Sequence, residues 1–154
     1  MARVNLPVRA AALALPALAL VLDRGLKFLA RQGYGAGGPL LNFGLHLNPA
    51  GPFSLPLSNF ALTLGGLLVL GVLSAAWYGS VVADRSTAAL GFALMWVGGA
   101  SNLMDRLVVG AVVDVLQVAG RLSLNLADCY LAFGLGLVLL CSRTRGVHEP
   151  SSPS

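Results

Sequence analysis

Two aspartates of this chain stand in surroundings where a carboxylate is costly, and they are the residues best suited to chemistry. Asp114 lies in the apolar stretch 110–118, and Asp128 lies inside the apolar run 124–141. Ionisable groups in such segments are rare and usually functional. If the fold brings these two together, they share one proton, so that one carboxylate activates water while its protonated neighbour polarises a carbonyl group. The pair therefore predicts acid–base hydrolysis.

Further polar residues stand at helical spacing in the hydrophobic segments. Asp23 and Lys27 are four positions apart, so a helix places them on one face, where they form an ion pair that lets the segment tolerate charge. Asn125 precedes Asp128 by three positions and is expected to hold a carboxylate or a backbone group on the same helix face.

A third polar group ends the stretch 88–104. Asn102 and Arg106 are four positions apart, with Asp105 between them. An arginine fork would fix the Asp105 carboxylate and make it a poor proton shuttle, so we interpret Asp105 as a structural or orienting residue.

Simpler interpretations of these residues stay open at this point. Asp114 and Asp128 could each cap a helix or pair with Arg106 or Arg121. Buried aspartates also occur in small proton- or ion-coupled transporters and in adaptors whose charges only fix helix packing. The transporter class favours repeated halves, and the sequence contains no internal repeat.

Composition indicates where such residues would operate. Apolar residues make up 56% of the 154 positions, charged residues make up 10%, and the mean hydropathy is +0.80. These values predict an integral membrane protein with one compact domain and about four spans. The net charge of +4 rests on basic residues scattered singly, which indicates contact with membrane lipids and no nucleic-acid partner.

Hydropathy predicts an all-α polytopic membrane protein with four transmembrane helices in a single domain, 1–145, and a disordered cytoplasmic tail, 146–154. The predicted spans are residues 10–29, 60–83, 88–104 and 124–141. Residues 1–22 could instead be a secretory signal, but the charged continuation keeps helical spacing, so we retain it as a helix. Basic residues divide evenly between the two sides, and we favour cytoplasmic termini because several of the opposing charges lie in the predicted site.

The connections between spans predict a small β-structure at the membrane surface. Residues 41–47 alternate apolar with small or polar residues, as a strand does, and the β-branched segment 112–124 could pair with them. Asn48 and Ser54 lie in the next loop, where turn chemistry alone could explain them.

Neither cysteine nor histidine usage points to a cofactor. Cys129 and Cys141 are twelve positions apart on one predicted helix, about 18 Å, which is too far for a disulfide. His46 and His148 have no ligand spacing around them, so a metal site is not predicted.

Four segments together resemble the lipoprotein signal peptidase family, the type II signal peptidases of bacteria. They are residues 22–27, 48–54, 102–114 and 125–128, which read LDRGLK, NPAGPFS, NLMDRLVVGAVVD and NLAD. Each pattern is weak alone, and their order and spacing over four spans make the combination specific.

This resemblance implies an aspartic endopeptidase with a small extracytoplasmic β-cradle, located in the bacterial inner membrane with its active site near the outer face. The substrate it implies is a prolipoprotein carrying diacylglyceryl on a cysteine, cut just before that cysteine. We expect the chain to act as a monomer without a cofactor. By position, the catalytic pair falls on Asp114 and Asp128. The supporting residues fall on Asp23, Lys27, Asn48, Asn102, Asp105, Arg106 and Asn125.

The chain departs from the family pattern in the loop after Asn48. Ala50, Gly51 and Pro52 occupy places where the family commonly has Gly, Ala and Ala. Because proline lacks an amide hydrogen, this change affects how the loop backbone would meet a substrate peptide. Ser101 replaces a frequent glycine and Val115 a frequent phenylalanine, both modest changes of packing.

Overall fold

The computed structural model describes residues 6–50 and 57–146, which form four helices and a four-stranded sheet. The helices are α1 (Leu6–Arg31), α2 (Asn59–Val82), α3 (Ser86–Val109) and α4 (Leu126–Gly146). The strands are β1 (Ala36–Gly37), β2 (Leu41–Asn48), β3 (Val112–Val118) and β4 (Leu122–Leu124). The predicted combination of helices with a small sheet is confirmed. Gly51, Pro52, Ser54 and the tail from residue 147 lie outside the described residues.

Helix α3 is the centre of the bundle and packs against the three other helices. Its glycines let α4 approach closely: a Cβ atom on Gly98 would lie 2.5 Å from the carbonyl oxygen of Ala127. The first turn of α4 therefore lies directly against α3. This close approach places Asp128 within reach of side chains on α3.

Among residues 6–50 and 57–146, two helices are long and apolar enough to cross a membrane. An 18-residue window of α2 has a mean hydropathy of 2.0 with only 6% of it buried, and one of α3 has a mean hydropathy of 1.2 with 44% buried. An apolar helix as exposed as α2 would be unstable in water, because contiguous apolar surface of that size normally contacts a partner or lipid. Its burial pattern fits a bilayer environment.

Several helix boundaries differ from the predicted spans, and two of these differences lie beside the polar residues of α3 and α4. Helix α3 continues to Val109, past the predicted end at residue 104, because the polar residues of its last turns find partners inside the protein. Helix α4 begins at Leu126, whereas residue 124 belongs to β4. Hydropathy predicts the apolar length of a segment and not the helix ends, which capping determines.

The sheet has the order β1-β2-β3-β4, and each neighbouring pair is antiparallel. The predicted pairing of residues 41–47 with the segment after α3 is confirmed, with His46 opposite Asp114 and Asn48 opposite Val112. Gly110 makes the turn from α3 into β3 in the left-handed conformation, at φ 80°, which costs glycine little. The turn carries the chain directly from the end of α3 to Asp114.

Candidate active site

Asp114 is buried on β3 and is held by two side-chain amides. Its Oδ2 accepts a hydrogen bond of 3.1 Å from Asn48 Nδ2, and its Oδ1 accepts one of 2.9 Å from Asn125 Nδ2. Asn48 is oriented in turn, since its Oδ1 accepts a bond of 3.2 Å from the backbone N–H of Ala50. The NH₂ group of Asn48 must then face Asp114. Asp114 itself is 1% exposed.

Asp128 lies in the first turn of α4 and forms a reciprocal cap with Asn125. The backbone N–H of Asn125 donates to Asp128 Oδ2 at 3.1 Å, and the backbone N–H of Asp128 donates to Asn125 Oδ1 at 3.0 Å. This arrangement is a capping box. Oδ2 of Asp128 therefore caps the helix, as the simpler interpretation of this residue predicts. Its other oxygen, Oδ1, accepts a hydrogen bond of 3.0 Å from Asn102 Nδ2.

Asn125 connects the two aspartates, because its side chain donates to Asp114 and its backbone donates to Asp128. Neither aspartate forms an ion pair within the described residues, so the alternative in which each pairs with Arg106 or Arg121 is not supported there. Two carboxyls from β3 and α4 thus meet at one residue. An ion pair would hold a carboxylate in its charged form, and neither aspartate has one among the described residues.

A cluster of buried charges lies beneath this pair. Lys27 Nζ is 3.0 Å from Asp23 Oδ2 and 2.7 Å from Asp105 Oδ2, and Arg24 Nη1 is 2.6 Å from Asp105 Oδ1. Lys27, Asp23 and Asp105 are at most 1% exposed. Ser101 joins the cluster, since its Oγ donates to Asp23. Two acids and two bases balance in charge, as buried ionic groups require.

The predicted partner of Asp105 is wrong. Arg106 does not hold this carboxylate; Arg24 and Lys27 do so from α1. Arg106 instead donates from Nη2 to the carbonyl oxygen of Ala50 at 2.7 Å, and it supports the loop that carries Asn48. Neighbours at helical spacing need not pair when another helix offers a better-placed cation. The predicted ion pair between Asp23 and Lys27 is confirmed.

The charge cluster reaches the aspartate pair through three hydrogen bonds. Lys27 Nζ donates to Asn102 Oδ1 at 3.1 Å, which turns the amide of Asn102 so that its nitrogen faces Asp128. Asp23 Oδ1 accepts from the backbone N–H of Ala127 at 2.9 Å and so anchors the start of α4. Asp105 Oδ2 accepts from the backbone N–H of Val113 at 3.2 Å and anchors the start of β3. The cluster therefore positions both elements that carry the pair.

Sequence reasoning did not assign three residues at this site: Arg24, Ser101 and His46. Arg24 follows Asp23 directly, and a cation inside an apolar run indicates that it pairs with an acid. The replacement of a frequent glycine by Ser101 predicts only a change of packing, although a hydroxyl beside Asn102 could equally hydrogen-bond to the polar group. Only the sheet register brings His46 opposite Asp114.

Burial raises the pKa of Asp114 above its ordinary value, and the nearby charge of Asp128 adds to the increase. Hydrogen bonds from Asn48 and Asn125 to the carboxylate oppose this effect without cancelling it. Asp114 therefore keeps its proton to a higher pH than an exposed aspartate. A raised pKa favours the protonated form of the carboxyl group, which a proton donor requires.

The stability of the folded protein should depend on pH through Asp114. Since its folded-state pKa is raised, this residue contributes stability that is fully present below its unfolded value of 3.8 and is lost as the pH rises through the folded value. Asp114→Asn does not titrate, so its Tm relative to the wild type should shift in favour of the variant as the pH rises above about 4. A difference in Tm that stays constant over this range would contradict the raised pKa.

Among the described residues, no three His, Cys, Asp or Glu side chains are arranged to hold a metal ion. The polar groups of the site are instead used in hydrogen bonds and ion pairs with one another. The carboxyl groups of the site can transfer protons to and from a water molecule and a substrate.

Sequence comparison places this chain among known proteins. The family model described as signal peptidase (SPase) II matches residues 15–144. The chain is similar to the lipoprotein signal peptidase of Moorella thermoacetica, with 31% identity over 135 residues that cover 84% of this chain and 89% of the relative. It is also similar to the lipoprotein signal peptidase of Brucella ovis, with 34% identity over 135 residues, covering 80% and 83%.

Solved structures agree on the fold. The chain is similar to a bacterial membrane enzyme determined by the in meso method at 2.3 Å, with a TM-score of 0.75, 16% identity and coverage of 94% of both chains. A second bacterial membrane enzyme, determined by the same method at 1.9 Å, gives a TM-score of 0.69 at 16% identity, covering 86% of this chain and 92% of the other. The bundle and its sheet thus have the same fold as these solved structures.

Proposed function

Because the chain belongs to the signal peptidase II family, we propose that Asp114 and Asp128 are the catalytic pair with which it removes signal peptides from prolipoproteins. As a member of this family, the protein is an aspartic peptidase of the bacterial inner membrane. The substrate we infer carries diacylglyceryl on a cysteine, and cleavage occurs just before that cysteine. The transporter alternative is not favoured by the family match.

One observation carries the assignment of the pair: Asn125 donates a hydrogen bond to each aspartate, from Nδ2 to Asp114 and from its backbone to Asp128. Two carboxyls fixed by one residue share their surroundings, and the charge of Asp128 adds to the raised pKa of Asp114. Since burial raises the pKa of Asp114, we assign it the proton and assign Asp128 the role of base.

In the first step, the Asp128 carboxylate removes a proton from a water molecule, whose oxygen attacks the scissile carbonyl carbon. Asp114 donates its proton to the carbonyl oxygen, which gives a neutral gem-diol. In the second step, Asp128 passes its proton to the leaving nitrogen as the carbon–nitrogen bond breaks. Asp114 recovers a proton from one hydroxyl as the new carboxyl group forms, so that the pair returns to its starting state.

The remaining predicted residues support this pair in our proposal. Asn102 donates a hydrogen bond to Oδ1 of Asp128, and Asn48 donates one to Oδ2 of Asp114. The buried charges of Asp23, Lys27 and Asp105 hold α4 and β3 in place. Arg106 positions the loop that begins at Asn48. The pair and its supports come from one chain, and we propose that a monomer in contact with membrane lipids is active.

We further propose that the peptidase domain, residues 1–145, crosses the membrane four times, with cytoplasmic termini and the active site near the outer face. The site lies where α1 and α3 end and α4 begins, at the end of the bundle that carries the sheet. Arg24 and Lys27 form ion pairs there with aspartates, so their positive charges contribute little to the charge difference that sets the orientation in the membrane. The exposed Arg85, in the short connection between α2 and α3, then favours a cytoplasmic location for the opposite end.

This orientation predicts the labelling of two exposed arginines in a background with Cys129 and Cys141 replaced by serine. In intact cells, a membrane-impermeant maleimide should modify Arg121→Cys, which lies beside the hairpin of β3 and β4. It should modify Arg85→Cys only after lysis. Labelling of Arg85→Cys in intact cells would contradict the proposed orientation.

The proposed activity is tested with the purified protein and a prolipoprotein that carries a diacylglyceryl cysteine. Mass spectrometry should find a released signal peptide that ends immediately before the modified cysteine. The same precursor without the lipid serves as the control and should remain uncut. Cleavage elsewhere, or no cleavage of the lipidated precursor by protein that retains its fold, would refute the function.

A further inference from the structure

His46 shares one face of the sheet with Asp114. The two residues are directly opposite in the antiparallel pair of β2 and β3, and opposed residues of such a pair present their side chains on the same side, with Cβ atoms about 4.5–5.5 Å apart. Asn48, two positions further along β2, points the same way, because its amide reaches Asp114 Oδ2. His46 therefore belongs to the surface that surrounds Asp114.

The imidazole of His46 has an unused hydrogen-bonding group. Its Nε2 is buried and has no hydrogen-bond partner in the described part of the chain. A buried polar atom without a partner is destabilising, and such an atom in a folded protein calls for an explanation. The position of His46 next to Asp114 explains the unpartnered nitrogen, since a bound substrate would bring new polar groups to this place.

His46 is not needed to hold Asp114 in the free protein. Both oxygens of that carboxyl already accept hydrogen bonds, from Asn48 and Asn125, and neither bond involves the imidazole. Asp114 is 1% exposed, so a substrate that reaches it must displace whatever covers it. The same displacement gives access to the neighbouring Nε2 of His46.

We propose that His46 is a substrate-binding residue whose Nε2 hydrogen-bonds the peptide backbone of the prolipoprotein beside the scissile bond. This inference rests on the proposed function. A peptide backbone presents an N–H or C=O group about every 3.3–3.4 Å, so the spacing of a cross-strand pair places Nε2 within one or two peptide units of the bond that Asp114 serves. Those groups lose water on binding and need partners, which the unused nitrogen supplies.

Three substitutions separate the hydrogen bond from the shape of the ring. His46→Gln keeps a polar group at the ε position, His46→Asn keeps one only at the δ position, and His46→Phe keeps an aromatic ring without a nitrogen. Leu47→Ala, on the opposite face of β2 and 54% exposed, is the control for a change in this strand. For each purified variant, kcat, KM and Tm are measured with the diacylglyceryl-modified prolipoprotein.

We expect kcat/KM to fall about tenfold in His46→Asn and His46→Phe, which is the size expected for one lost uncharged hydrogen bond. His46→Gln should stay within about threefold of the wild type, as should Leu47→Ala. A role in folding alone would change Tm and leave the rescue by glutamine unexplained. Equal losses in the three variants, no loss in any, or rescue by asparagine instead of glutamine would each overturn the assignment of Nε2.

Failure of this inference is distinguishable from failure of the proposed function. If the wild type cleaves the lipidated precursor and Asp114→Asn does not, the function stands whatever the His46 variants do. If the wild type does not cleave that precursor, the function itself is refuted and the role of His46 is refuted with it.

Discussion

Asp114→Asn and Asp128→Asn are each expected to reduce cleavage of a lipidated prolipoprotein by about 10²- to 10⁴-fold, the contribution typical of a general acid or base. Asparagine has nearly the same shape as aspartate, but it can neither accept a proton from water nor donate one to a carbonyl oxygen. The two losses should be of similar size, because the residues act as one unit. The measurement is the initial rate of signal-peptide release by purified variants.

Asp84→Asn is the matched control for this prediction. Asp84 is exposed in the connection between α2 and α3 and has a positive φ of 54°, a conformation that asparagine also tolerates. The chemical change is the same, and we expect no loss of rate. Full activity in either Asp114→Asn or Asp128→Asn, in protein with a normal thermal transition, would remove that residue from the catalytic pair.

Lys27→Met is expected to cause a large loss of stability, because it removes a cation from a buried cluster of charges. Lys27 is 0% exposed and lies within 3.0 Å of Asp23 and 2.7 Å of Asp105. Removing the cation leaves two buried carboxylates with Arg24 alone, and breaking a buried ion pair in this way costs about 3–5 kcal/mol. The free energy of unfolding, or the Tm in detergent, measures the effect.

Arg31→Met provides the comparison, since Arg31 is an exposed cation in the last turn of the same helix. We expect its removal to change the free energy of unfolding by less than about 1 kcal/mol. Activity should fall in Lys27→Met even where the protein remains folded, because Asn102 Oδ1 loses one of its two donors, Lys27 and Asn125, which turn the amide nitrogen of Asn102 toward Asp128. Equal stability of the two variants would contradict the account of the buried cluster.

Sequence reasoning could predict contacts within one helix and patterns within one strand. The Asp23–Lys27 ion pair follows from helical spacing alone, and the strand over residues 41–47 follows from its alternation. Family resemblance located Asp114 and Asp128, and the structure places both against Asn125.

Contacts between elements could not be predicted in the same way. Which cation pairs with Asp105 depends on how α1 packs against α3, and no spacing within α3 reveals that Arg24 and Lys27 are nearer than Arg106. His46 joins the site only through the register of β2 on β3, which contains an irregularity between Phe43 and His46. A shift of one residue in the register moves every side chain of a strand to the opposite face of the sheet. Alternation of residue types alone therefore cannot predict that His46 lies opposite Asp114.

The central claim, that Asp114 and Asp128 act together on one peptide bond, is tested most directly by a structure of the protein bound to an uncleavable substrate analogue. The analogue is a lipidated peptide in which a hydroxyl-bearing tetrahedral carbon replaces the scissile carbonyl, as in the transition state. We predict that the hydroxyl lies about 2.5–3.0 Å from a carboxyl oxygen of each aspartate. A bound analogue whose hydroxyl contacts only one of them, or neither, would contradict the account.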